Sequence, residues 1–239
     1  MRSGNWVLGQ VCGLALLQHS VGAAGAEPVA QYPAMAPLVQ YELSSTADEI
    51  ALARSAAPSS ISGNADVLTL GERGYQAASK GNNGFVCMVW RSWAADFGDA
   101  EFWNPKLRAP ICLNPAAARS VLPGYLERTR WVLAGVSKSE MLGRTRAAVA
   151  ANTYVLPEPG AMGYMMSKRG YLSDSDGHWH PHLMFFLAHT EPAAWGANLT
   201  GSPINAAQGD PEPVTTFFTL VTQWSDGTPA VMEMRTGPE

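Results

Sequence analysis

Four of the five histidines in this 239-residue chain fall between positions 178 and 189, and three of them lie in the pentapeptide His178-Trp179-His180-Pro181-His182. Imidazole is a borderline ligand, so such a cluster suits Zn, Cu, Fe or Ni better than Mg or Ca. On an extended strand, side chains alternate faces, which would set the three imidazoles on one side and Trp179 and Pro181 on the other. Neighbouring i, i+2 rings would sit about 6.6 Å apart at Cα, from a rise of ~3.3 Å per residue. Two rings at that spacing can converge on one ion at roughly 2.0–2.1 Å from each nitrogen. His178 and His182 would be about 13 Å apart on an ideal strand, so all three could meet only across a bend, which Pro181 is placed to supply. The sharpest expectation is a His178–His180 pair completed by His182, His189, Asp174, Asp176 or Glu191, holding Zn, Cu or Fe. An open position on such an ion would support hydrolytic or redox chemistry. The competing reading has the histidines solvated near a turn, or His182 bonded to a backbone carbonyl as a core residue. The chain would then be a non-catalytic envelope or binding protein without metal, with a small ligand as its unknown partner.

The elements around the cluster read as a hairpin: residues 161–172 as one strand, Asp174–Gly177 as the turn and 178–187 as the other strand. Asp174-Ser-Asp176-Gly177 carries part of a calcium-loop pattern, but Leu172 stands where the first ligand would be, so a plain turn is expected. Upstream, Thr46 with Glu49 resembles a capping box and opens a helix over 46–56, stopped by Pro58. Residues 65–70 and 75–79 read as strands around the turn Gly71–Gly74, and Gly81–Gly84 is a second turn before the apolar strand Phe85–Trp90. Together these suggest a helix followed by a β-meander. Residues 91–113 look irregular. Asn114-Pro115 caps a helix, residues 123–136 form another, and Ser137 with Glu140 opens a third to Asn152. Strands return at 161–166, 182–187 and 215–222, and 190–213 reads as a long loop. The expected fold is α+β, with a mostly antiparallel sheet and a central helical insertion, as a single domain over 46–235 behind an extended lead-in at 27–45.

Trp90, Trp93, Phe97, Phe102 and Trp103 form a second candidate. Exposed, they could stack on sugars or other flat ligands; buried, they would be a core lid, the expected outcome for rings with so large an apolar payload. The chain lacks G-x-S-x-G, S-x-x-K, G-x-G-x-x-G, Walker A, C-x-x-C and H-E-x-x-H patterns, which leaves nucleotide-dependent and common serine-hydrolase chemistry without support. Composition is 46% hydrophobic and 15% charged, with formal net charge −4. Lys106 and Arg108 are isolated charges, so no nucleic-acid partner is expected. No mature apolar run is long enough to span a bilayer. Asn198-Leu-Thr200 is a glycosylation sequon that matters only in a eukaryotic secretory pathway.

Residues 1–26 have the three-part layout of a secretory signal peptide: Arg2, the apolar stretch Val7–Leu17, and the small-x-small site Ala24-Gly25-Ala26. Cys12 leaves with that segment. Cys87 and Cys112 remain, an even pair that an oxidising compartment favours joining.

The combination of Gly81-Asn82-Asn83-Gly84-Phe85-Val86-Cys87, Glu101-Phe-Trp-Asn-Pro105, Pro110-Ile-Cys112, Tyr164-Met-Met-Ser167 and Gly177-His-Trp-His-Pro-His-Leu-Met184 resembles a family of uncharacterised exported bacterial proteins. The resemblance covers roughly 48–230, with Asn82 in place of the family's usual Thr. It carries no established activity and transfers no catalytic residue; it implies secreted or periplasmic localisation. Cleavage after Ala26 predicts that the exported chain begins at Glu27, which N-terminal sequencing will show; an exported product that keeps residues 1–26 would refute the signal peptide.

Overall fold

The computed structural model describes residues 31–174, 177 and 179–230. Eight strands form one sheet: β1 (Asp66–Gly71), β2 (Gly74–Ser79), β3 (Val86–Trp90), β4 (Ala109–Leu113), β5 (Met162–Met165), β6 (His182–Ala188), β7 (Ile204–Gln208) and β8 (Val214–Leu220). Their spatial order is β2-β1-β3-β4-β5-β6-β8-β7. Every neighbouring pair is antiparallel except β1 and β3. Helices α1 (Thr46–Arg54) and α2 (Ser59–Ser62) precede the sheet. Helices α3 (Pro115–Ser120), α4 (Leu122–Leu133) and α5 (Lys138–Ala150) form the central insertion between β4 and β5. The α+β fold with a mostly antiparallel sheet is therefore as expected, but the opening is not a meander. After the β1–β2 hairpin the chain crosses the start of β1 to reach its far side. Gly81 makes that crossing possible: a Cβ there would lie 2.0 Å from the Asn64 carbonyl oxygen.

Alternation on β3 divides the core. Cys87 and Val89 face α1, where Leu52, Ala53, Ala56 and Ala57 offer a small-residue surface. Met88 and Trp90 face the opposite side, with Trp93, Phe97, Phe102, Trp103, Tyr125 and Met141. Cys87 and Cys112 stand directly opposite in the β3–β4 register and are joined by a disulfide, buried under α1. Closing a 25-residue separation contributes roughly 3 kcal/mol in the chain-entropy account.

Local signals explain the helix starts. Asn114 accepts from Ala117 N and Ser137 from Glu140 N, as their sequence positions suggested. At α1 the cap is Ser45, which accepts from Asp48 N, one residue before the expected Thr46–Glu49 box. The shift frees Glu49 to turn inward. It is 3% exposed, accepts from Leu70 N at 3.0 Å, and pairs with Arg91 Nη2 at 2.9 Å. Arg91 is fully buried; its Nε donates to the Tyr41 carbonyl at 2.7 Å and its Nη1 to the Val89 carbonyl. The Tyr125 hydroxyl accepts from Arg91 N at 2.8 Å and lies 3.1 Å from the Tyr75 hydroxyl. Burial pushes both phenols up, Tyr125 to about 12. The lead-in is thus strapped to the core: Tyr41 is buried, and Tyr32, Met35 and Leu38 pack against the aromatic side.

Two strands lie in stretches read as irregular. β4 contains Pro110, but β5 pairs only with Cys112 and Leu113, so the proline sits beyond that ladder. β7 forms one end of the sheet, and its outward groups are occupied by Asn198. Asn198 N donates to the Ile204 carbonyl, its Nδ2 to the Ala206 carbonyl at 2.9 Å, and its Oδ1 accepts from Ala206 N at 2.8 Å. Asn198 holds φ at 61° to do so, a conformation that asparagine tolerates better than most residues. None of the helices formed by the described residues is long and apolar enough to cross a membrane.

Removing one partner of a buried pair strands the other charge. Glu49→Ala is expected to lower unfolding free energy by about 3–5 kcal/mol in urea titrations, with the Glu49→Leu/Arg91→Met double variant losing less than either single one.

Candidate functional site

The histidine segment enters the sheet at the start of β6. The strand begins at His182, not at 178, so face-sharing by strand alternation does not extend back to His180; His178 and Asp176 lie outside the described residues. The expected hairpin arms are correspondingly shorter. β5 ends at Met165, and the described residues between it and β6 are held by hydrogen bonds to neighbouring segments and across a turn. Arg108 and Tyr171 exchange backbone bonds, and the turn is closed by Leu172 N to the Gly177 carbonyl at 2.8 Å and Gly177 N to the Ser173 carbonyl at 2.9 Å. Trp179 is buried and lies flat against Gly170, where a Cβ would come within 2.5 Å of the indole. Pro181 is buried, and its carbonyl accepts from Val221 N just beyond β8.

His182 is half-buried between two ring edges, Trp179 at 5.9 Å and Phe218 at 6.1 Å between centroids. Its Nδ1 lies 2.7 Å from the His180 carbonyl oxygen. A carbonyl can only accept, so Nδ1 carries the proton and the neutral ring presents its lone pair on Nε2. Burial holds the imidazole below its ordinary value near 6.5, against the opposing pull of the His180 carbonyl. On the same face, Met184 follows two residues on, and the β5–β6 register sets Met165 directly opposite His182.

The other expected ligands are drawn elsewhere. Asp174 accepts from the Tyr171 and Tyr32 hydroxyls, from Lys106 Nζ at 3.0 Å and from Gln31 Nε2 at 2.7 Å. The two phenols first, and then Lys106, hold its carboxyl far below the usual carboxylate range. The carboxylate is thus a latch between lead-in and loop, a role that sequence reading missed because its donors come from three separate stretches of chain. His189 and Glu191 pair with each other at 3.5 Å and are exposed. They follow the far end of β6, about 20 Å from His182 at the rise of a strand. Among the described residues, no group of three or more His, Cys, Asp and Glu side chains is arranged to hold a metal ion.

The aromatic cluster resolves as core. Trp90, Trp93, Phe97, Phe102 and Trp103 are all 9% exposed or less, so they offer no stacking platform. Trp93 Nε1 donates to Thr129 Oγ1 at 3.0 Å, whereas the buried Trp90 Nε1, Ser92 Oγ and Trp179 Nε1 have no hydrogen-bond partner among the described residues. No family model, curated protein or solved structure matches the chain.

The depressed His182 value carries a pH prediction. The unfolded chain takes up a proton at His182 before the folded one does, so this contribution to stability is complete above about 6.5 and is lost as pH falls below it, until the folded-state imidazole is protonated too. In urea titrations with a chelator present, His182→Gln is expected to lose less stability than the parent between about pH 7 and pH 5. Parallel losses in the two proteins would refute it.

Proposed function

We propose that the chain is an exported protein that binds a transition metal ion at the start of β6, through His182 together with His180 and His178 and with Asp176 as a further donor. The observation that carries this reading is the state of His182. Its Nδ1–H is held by a backbone carbonyl, its ring is neutral through burial, and its Nε2 lone pair forms no hydrogen bond with a described residue. Metal-bound histidines characteristically donate their other ring N–H to a carbonyl or carboxylate, which fixes the tautomer and the ring direction. His180 precedes it by two residues and is half-buried in the same segment. Of the donor classes, imidazole with a carboxylate suits Zn, Cu or Fe.

Export draws its support from the layout of residues 1–26 and from the disulfide, which persists in an oxidising compartment. Protein purified without a polyhistidine tag is expected to carry Zn, Cu or Fe by elemental analysis, or to gain thermal stability on adding Zn(II) or Cu(II). His178→Ala/His180→Ala should abolish both signals. A double variant that keeps the metal, or a parent that shows neither signal, would overturn the reading.

A further inference from the structure

We propose that the ion taken at this site is copper(I), and that the thioether sulfurs of Met165 and Met184 join His182 Nε2 and the neighbouring imidazoles in holding it. The inference rests on the metal reading above and specifies the ion. Pairing of β5 with β6 sets Met165 directly across from His182 and Gly163 across from Met184. Directly opposite residues have Cβ atoms about 4.5–5.5 Å apart, and residues two apart on a strand share a face. One imidazole and two thioethers therefore rise from the same side of two paired strands. Methionine, unbranched and with three rotatable bonds, can bring its sulfur to a common point from either position.

The donor set selects the metal. Thioether sulfur is a soft ligand that favours copper(I) over zinc. Thiolate, the commoner soft donor, is not on offer among the described residues, because Cys87 and Cys112 are joined. A thioether does not form disulfides, so the set keeps its ligand character where thiols would oxidise. The surroundings favour low charge as well. Met165 is 6% exposed, and the ring edges of Trp179 and Phe218 flank the imidazole. Desolvation costs a monovalent ion much less than a divalent one, since the Born energy grows with the square of the charge. An entry path exists: Leu220, across from His182 on β8, is 37% exposed, so this end of the face reaches solvent.

The test is competition for copper(I) between the full chain and a chromophoric copper(I) chelator, in anaerobic ascorbate, with zinc(II) titrated in parallel. Met165→Leu/Met184→Leu conserves volume and should fold. It is expected to weaken copper(I) binding at least about tenfold while leaving zinc(II) binding unchanged. In the parent loaded with copper(I), X-ray absorption should show sulfur as well as nitrogen in the first coordination shell, a readout that needs no variant. Parental copper(I) affinity in the double variant, a shell without sulfur, or zinc binding without copper(I) binding would overturn the assignment and leave the histidine reading standing. A parent that binds neither metal would overturn both.

Discussion

The buried Arg91–Glu49 pair is the constraint around which the first half of the molecule is arranged. Both side chains are almost wholly removed from water, a state tolerable only when every remaining donor and lone pair is met. Meeting them recruits the lead-in through the Tyr41 carbonyl, α1 through Glu49, β1 through Leu70 N and β3 through the Val89 carbonyl, and β2 and α4 close round the same point, Tyr75 donating to that Val89 carbonyl and Tyr125 accepting from Arg91 N. An apolar contact would accept small displacements among these parts. A desolvated guanidinium does not, because each lost bond leaves a charge or dipole stranded in a low-dielectric interior. The pair therefore specifies how α1, the hairpin and α4 are set against one another.

Two unlike cores follow from the alternation of β3. On the α1 side, alanines and the disulfide permit close approach of helix to sheet. On the other, bulky rings fill a thicker layer beneath the helical insertion. The histidine segment joins the aromatic side through Trp179 and Met165, where β6 runs between β5 and β8. A strand with paired neighbours on each side is a stiff base, and His182, at its first residue, stands where that stiffness meets the excursion carrying His180. Asp174 fastens the same excursion to the lead-in. The loop is held by backbone closure at 172–177, by the Arg108–Tyr171 exchange and by the Asp174 carboxylate, whereas the His182 ring makes one hydrogen bond to a described residue, the His180 carbonyl.

Features governed by neighbours in sequence were legible from sequence. The caps at Asn114 and Ser137, the turns at 71–74 and 81–84 and the apolar strand ending at Trp90 all follow from local chemistry, and the cysteine pairing followed from an even count in an oxidising compartment. Features governed by partners distant in sequence were not. β4 was masked by Pro110, and β7, with two alanines and no alternation, has strand character only because β8 lies beside it. The parallel contact of β1 with β3 depends on a crossing whose sole trace is Gly81. At the candidate site the closeness of the histidines was plain, but the point where the strand begins was not, since Pro181 marks a boundary as readily as a bend. Met165 gave no signal at all, because its relation to His182 exists only in the register between β5 and β6.

Asn198 has a bearing on how this chain behaves in a foreign host. It is the acceptor position of a glycosylation sequon, yet in the folded protein its amide nitrogen is already committed to a carbonyl on the terminal strand and its oxygen to an amide there. A glycan attached before the sheet closes would leave Nδ2 one hydrogen and set a bulky sugar against the terminal strand, displacing the side chain from Ala206. The open ladder of β7 would then be free to recruit another polypeptide. Production in yeast or animal cells would thus turn a side chain that guards against fibrous assembly into its point of entry.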